Sequence, residues 1–520
     1  MRLPRQIGIP ALLLALASAP ASVSATAPES ATAPDTLDLV QRIDSVLAEP
    51  PLDGIHWGVL LVDAATGETL YDRNGHLRFV PASNVKIPVT AAALSRLGPT
   101  FRYRTAFYAE AREGGAVGPD GTIPGDLVLA GTGDPTLGEP FHDSAEAALE
   151  ALVDSLAAAG VRRVEGELVV DAAAWDSTTV PTGWLVGNLD ARYAATGGAF
   201  GVGSGELELE ITGAGVEGAP AHLSWTPVGT RDFVDNRVLT GAPDSEVELV
   251  TSYLPESRRW VVEGSVPPGH RETRLRAKRD PVRQGVHALV RIMEERGIRV
   301  EGDVRKVWEP GTPVAGGCAA GSLPRCCPGG EPPAPACPSV EVAGMDSPPL
   351  TEVVEAIMGP SQNWMAEQLV RTLGAEVGES GSWSAGFEVV TDFLTGELGV
   401  DSLDIHFRDG SGLAAYNLLS PRALIRILDD ARIRPWAMAF HQSMPEPGRS
   451  GTTLAGRLTD LEGRVFAKTG TISHVNALSG YLIADDGREL LFAVLTNTAN
   501  MPAARVRQGI DDVVRQMARP

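Results

Sequence analysis

The sequence predicts an α/β (α+β) protein. An antiparallel sheet flanked by helices is built from both ends of the chain, and one or two β-rich modules are inserted between them. Three observations lead there. An apolar hairpin and a helix stand near the N-terminus. Short strand-like pieces cut by glycine and proline fill roughly residues 106 to 340. Helical periodicity then returns, and three strands and a helix close the chain. The expected division is a leader at 1–25, a main domain from 26–105 and 342–520, one insert from 106–200 and 271–341, and a second insert at 201–270.

The elements follow in order. Leu37, Val40, Ile43, Val46 and Leu47 recur at helical spacing. GIHWGVLLVDAATGETLYDRN then gives two strands joined by a turn at Asp63 to Gly67. A helix starts around Ser83, with Ala91, Ala92, Ala93 and Leu94 facing inward. In the middle, DLVLAGTG, GELVVDAAAW, GELELEITG, EVELVTSYL and RRWVVEGSV are strands, and PVRQGVHALVRIMEERG is the single helix. Beyond residue 345, LTEVVEAIMG, NWMAEQLVRTLG, GFEVVTDFL and SPRALIRILDDARI are helical. GRVFAKTGTI, NALSGYLIADD and RELLFAVLTNT are strands, and a helix from Ala503 to Met517 keeps its apolar residues on one side.

Composition narrows the class. With 43% hydrophobic residues over 520 positions, the chain can bury a large core. The first 25 residues combine Arg2 and Arg5 with a short apolar run and small residues at Val23-Ser24-Ala25, the pattern of a secretory leader. No later segment has the roughly 18 unbroken apolar residues of a membrane span. The expected protein is therefore exported, periplasmic or cell-envelope, and soluble or loosely membrane-associated. A net charge of -22 argues against nucleic acid as a partner. Cys318, Cys326, Cys327 and Cys337 share one Gly/Pro-rich loop, where two local disulfides are expected. A zinc site is the alternative, but no histidine accompanies the cluster. No metal and no cofactor are expected.

Lysine usage directs attention to chemistry. Of 44 Lys+Arg, only Lys86, Lys278, Lys306 and Lys468 are lysine. Ser83 and Lys86 are spaced to share one helix face. A serine hydroxyl needs a neighbour to take its proton; a desolvated lysine can do so and an arginine cannot. Ser361-Gln362-Asn363 offers a hydroxyl and an amide. Lys468-Thr469-Gly470-Thr471 offers a cation, two hydroxyls and a glycine that lets a ligand approach a strand. Each motif alone is weak: SxxK recurs by chance, an N-cap or turn would use the residues of SxN, and an ordinary strand can carry Lys468 on its exposed side.

Together and in this order, SxxK, SxN and KTG resemble the penicillin-recognising serine enzymes of β-lactamase/transpeptidase-like fold. The long interval between Ser83 and Ser361 is similar to that of the D-alanyl-D-alanine carboxypeptidase/endopeptidase family, the class C low-molecular-mass penicillin-binding proteins. AGTGDPTL, SPPLTEVV, NWMAEQLV and DGSGLAAYNLLSP extend the resemblance over roughly 50 to 515. It implies that Ser83 attacks the bond between two D-alanines of a peptidoglycan stem peptide, with Lys86 as base. Ser361, Asn363 and Lys468 complete the catalytic set. Thr469, Gly470 and Thr471 bind substrate, and the backbone N–H groups of Ser83 and Thr471 form the oxyanion hole. β-Lactams are the implied covalent inhibitors.

Competing functions differ in specific features. A β-lactamase of class A needs a deacylating glutamate, for which no matching motif is present. A related esterase has tyrosine where Ser361 stands. A non-catalytic wall-binding protein would not require both lysines. His474, beside the third motif, is expected to be structural or a rim residue. Pro88 departs from the family pattern and is positioned to kink the helix after Lys86.

Overall fold

A computed structural model describes residues 34–227, 233–310, 312, 314 and 338–519. The leader and the cysteine loop lie outside the described residues.

The central sheet joins the chain's two ends. Its five antiparallel strands run Val465–Ile472, Val475–Ile483, Glu489–Asn497, His56–Asp63 and Thr69–Arg73 in spatial order. His56 pairs with Asn497 and Asp63 with Leu490, so the N-terminal hairpin docks on the last strand. Side-chain alternation explains why both faces are covered. Leu60, Leu491, Ala493 and Leu495 enter one core with the helices Lys86–Arg96, Leu350–Met358, Asn363–Glu376 and Pro421–Ala431. Val59, Leu61, Leu490, Phe492 and Val494 enter the other, against the terminal helices Pro34–Leu47 and Ala503–Met517. Val465–Ile472 is left as an edge strand.

Between the N-terminal helix bearing Lys86 and the helix Leu350–Met358 lies the inserted region. Arg104–Glu110 and Ser339–Asp346 pair antiparallel where the chain leaves and re-enters. They form one side of a five-stranded sheet with Leu127–Ala130, Leu168–Asp171 and Val304–Val307. Two three-stranded sheets follow, built on Glu206–Thr212 and Arg259–Val266, and they share a core of Leu207, Leu209, Ile211, Val238, Trp260 and Val262. Arg271–Ala277 pairs with Glu206–Thr212 along its whole length, so this unit extends to residue 277.

Two expectations are corrected. The middle region holds a second helix, Ala145–Ala158, capped by the Ser144 hydroxyl on the Ala147 amide. Leu149, Leu152, Val153 and Leu156 are buried at i, i+3, i+4 and i+7, so the helical period was present in the sequence among the neighbouring strand-like pieces. Pro88 does not interrupt its helix. It is the third residue of Lys86–Arg96, within the first turn, where a missing N–H costs little.

Candidate active site

Ser83 lies in a 3₁₀ turn, Ala82–Val85, that runs directly into the Lys86–Arg96 helix. The turn is tied to the edge strand from beneath: the buried Asn84 side chain donates to the Lys468 carbonyl at 2.9 Å. Gly470 permits the contact. A Cβ there would stand 2.8 Å from the Pro81 carbonyl oxygen and 3.1 Å from the Ser83 nitrogen. Ala82 and Ser361 both have left-handed backbone, φ 46° and 65°; Ala82 adjoins the first motif and Ser361 begins the second. Such residues cost about 1–3 kcal/mol and persist where surrounding packing holds them.

Lys86 is fully buried, and its Nζ has three polar neighbours: Ser83 Oγ at 3.0 Å, Asn363 Oδ1 at 2.7 Å and the Ser411 carbonyl at 2.9 Å. Two of these can only accept. In the neutral amine they take both N–H groups and leave the lone pair facing Ser83 Oγ. The Asn363 amide is oriented from both ends, because its Nδ2 donates to the Tyr193 carbonyl at 2.8 Å. Burial pushes the Lys86 ammonium down to about 7, against the opposing pull of Glu367 and Asp409.

Ser361 stands in the turn before the Asn363–Glu376 helix, with Gln362 as N-cap. Its hydroxyl accepts from Lys468 Nζ at 2.8 Å. Lys468 also donates to the Thr469 carbonyl at 2.9 Å; burial, and then the charge of Lys86, hold it well below the usual lysine range. Thr469 Oγ1 meets Thr453 Oγ1 at 2.7 Å, and Thr471 Oγ1 faces Asn476 at 3.3 Å. All three motifs therefore meet around one cleft of about 1010 Å³, lined by Ser83, Ser361, Asn363, Thr469 and Thr471. His474 sits on its rim, with Nδ1 3.0 Å from the Ala499 carbonyl.

Serine, lysine and amide in this arrangement suit acyl transfer through an activated hydroxyl. Among the described residues, no group of three or more His, Cys, Asp or Glu is placed to hold a metal ion. The chain matches the D-Ala-D-Ala carboxypeptidase 3 (S13) family over residues 39–315 and 332–517. It belongs to that family. The D-alanyl-D-alanine carboxypeptidase of Actinomadura sp. (strain R39) is 36% identical over 479 residues, 90% of this chain and 82% of that one. The D-alanyl-D-alanine carboxypeptidase DacB of Haemophilus influenzae is 22% identical, covering 87% and 88% of the two chains. The crystal structure of penicillin binding protein 4 (dacB) from Haemophilus influenzae superposes with a TM-score of 0.75 at 20% identity, covering 92% of this chain and 99% of that one. The expected penicillin-recognising fold is the observed one, and the protein is a serine-type D-Ala-D-Ala carboxypeptidase.

Sequence reading missed several groups that shape the S13 site. Ser411, Glu367 and Asp409 fall in stretches that marked the resemblance, yet no role was visible for them. Glu367 could have been noticed as an acid one turn after Asn363 on the same helix face. The Ser411 and Tyr193 contributions are backbone carbonyls, which residue type does not reveal.

Proposed function

We propose that Ser83 is the nucleophile of this carboxypeptidase and that peptidoglycan peptides ending in D-Ala-D-Ala are its substrates. The single observation that carries the reading is Lys86 Nζ, desolvated and 3.0 Å from Ser83 Oγ, with its other two directions taken by carbonyl oxygens. As Ser83 Oγ bonds to the carbonyl carbon, its proton passes to Lys86. The oxyanion is held by the backbone N–H groups of Ser83 and Thr471, each such donor contributing roughly 3 to 4 kcal/mol of barrier lowering. When the C–N bond breaks, the leaving amine takes a proton through Ser361, beside which Lys468 sets the potential. D-Alanine departs and water hydrolyses the acyl-enzyme. Thr469 and Thr471 hold the terminal carboxylate, and Asn363 holds the acyl-side amide.

The cleft continues past Thr471 to His474, Met501 and Arg507, more space than a single D-alanine fills. That extension favours endopeptidase action by the same steps on a cross-linked amine. The leader-like N-terminus and the wall substrate support a site of action outside the cytoplasmic membrane. No helix among the described residues is long and apolar enough to cross a membrane. The division into a main domain and two inserts is proposed as stated above, with Arg271–Ala277 assigned by its pairing to the second insert.

Intact-mass measurement after incubation with a penicillin, followed by peptide mapping, tests the reading. One adduct is expected on the peptide containing Ser83 and none in Ser83→Ala. An adduct that survives in Ser83→Ala removes Ser83 from the role. Rapid nitrocefin turnover without D-alanine release would replace the carboxypeptidase reading with a β-lactamase.

A further inference from the structure

The helix that carries Asn363 also buries a carboxylate that no step above uses. Glu367 is fully buried one turn along from Asn363. Its Oε1 accepts from the Ser411 amide at 2.8 Å; its Oε2 accepts from the Gly410 amide and from Trp383 Nε1, both at 2.8 Å. Ser411 then presents its own carbonyl to Lys86 Nζ at 2.9 Å. Asp409 secures the other half of the same loop, accepting from the amides of Gly412 and Ala414 and from the side chains of Asn417 and Trp184. The loop passes so close to the nucleophile's turn that a Cβ on Gly412 would lie 1.9 Å from the Ala82 carbonyl oxygen.

We propose that Glu367 is a positioning residue for the reaction: by clamping the Gly410 and Ser411 amides it fixes the Ser411 carbonyl on Lys86, so that the amine's lone pair is directed at Ser83. The inference rests on the reading of Lys86 as the base. An amine on a flexible side chain has no preferred rotation of its own. It acquires one only if acceptors occupy the positions it must not turn its lone pair toward. Asn363 supplies one such acceptor and Ser411 the other. Backbone amides buried without an acceptor would cost about 1–3 kcal/mol each, so an apolar residue at 367 could not hold this loop conformation.

Charge gives the clamp a second, separable effect. The charged groups facing Lys86 are Lys468 from the edge strand, Glu367 from the Asn363–Glu376 helix and Asp409 from the loop. Glu367 itself faces Asp409, Lys86 and Arg371, whose guanidinium pairs with Asp176. Burial and then Asp409 raise the Glu367 carboxyl above the usual carboxylate range, while its three N–H donors favour the ionised form. A negative Glu367 makes Lys86 harder to deprotonate, so removing that charge lowers the pH at which the base becomes active.

The test is the rate constant of Ser83 acylation by a chromogenic β-lactam, followed across the neutral range. Wild type, Glu367→Gln and Glu367→Asp are compared, each with a thermal-unfolding control. Wild type should show a limb rising with pH. Glu367→Gln keeps shape but cannot accept from both backbone amides and carries no charge. Its limb should move to lower pH and its plateau should fall roughly 10²-fold, as for an ångström-scale misplacement. Glu367→Asp keeps the charge but loses reach; its midpoint should stay and its plateau fall. A merely structural role would lower the unfolding temperature without moving the limb. A wild-type limb that Glu367→Gln reproduces in midpoint and plateau overturns the clamp alone. A flat wild-type profile removes Lys86 as base, and the clamp with it. If Glu367→Gln does not accumulate, Glu367→Asp decides: a wild-type plateau in that variant overturns the proposal.

Discussion

At residue scale the site depends on what lysine can do and arginine cannot. Three of the four lysines are fully buried, Lys86, Lys278 and Lys468. Burial depresses an ammonium, and Lys86 is brought to about 7, so the neutral form gains population as pH rises through that value. The wild-type acylation rate should therefore climb across neutral pH and level off above it. Lys86→Arg keeps a cation that does not deprotonate; it should lose the limb and fall by roughly 10²–10⁴-fold, the usual worth of a general base. Stopped-flow acylation measures both, and near-normal acylation by Lys86→Arg would end the assignment. Lys278 shows where residue type alone misleads. It is as buried as the other two and brought to about 7, yet its Nζ donates to the Val202 carbonyl inside the inserted region.

At element scale the decisive join is between the Ala82–Val85 turn and the edge strand Val465–Ile472. Nothing in either segment announces the other, but Asn84 and Gly470 fit them together. A Cβ on Gly470 has backbone on two sides and cannot be absorbed by a rotamer change. Gly470→Ala should push the strand edge back from Ser83 and lower acylation roughly 10²-fold, by displacement of the reacting groups. Thermal unfolding should change little, because the strand's other edge still pairs with Val475–Ile483. Equal loss of stability and activity would mean the glycine serves folding instead. Legibility also divides at this scale. The hairpin, the three closing strands and the Ala503–Met517 helix carry strong periodicity and were readable. The Ala145–Ala158 helix carries the same period in Leu149, Leu152, Val153 and Leu156 but stands alone among strand-like pieces, and the depth of Pro88 within its helix depends on where the preceding turn ends.

At the scale of the whole molecule the inserted region is a structural part of the site. Tyr193 holds the Asn363 amide from the insert side. Trp184, from the same insert, donates to Asp409 at 2.6 Å. Arg371 is the strongest tie. Its buried guanidinium lies between the Trp175 and Trp383 rings, 4.9 and 4.6 Å from their centroids, pairs with Asp176 at 2.7 Å and donates to the carbonyls of Asp176, Thr178 and Gly381. Arg371→Ala should destabilise the protein by about 3 kcal/mol, since it leaves the buried Gly381 carbonyl and the part-buried Asp176 carboxylate without their donor and removes a stacked cation. A denaturant midpoint measures this; an unchanged midpoint would show that insert and main domain are held elsewhere. Trp383 touches both Arg371 and Glu367, so the same loss should reach the acylation rate.

The sequence by itself determined the chemistry. Serine, two lysines, an amide and a threonine pair have few joint uses, and their order along the chain carried the family. Tertiary structure alone decided how the amine at 86 is aimed. Its orientation is set by the carbonyls of Ser411 and Asn363, by a carboxylate behind them and by burial at the junction of an insert and a sheet. Backbone oxygens are the same at every residue, and desolvation belongs to a packed interior. Neither leaves a mark on residue identity, so neither could be read before the chain was folded.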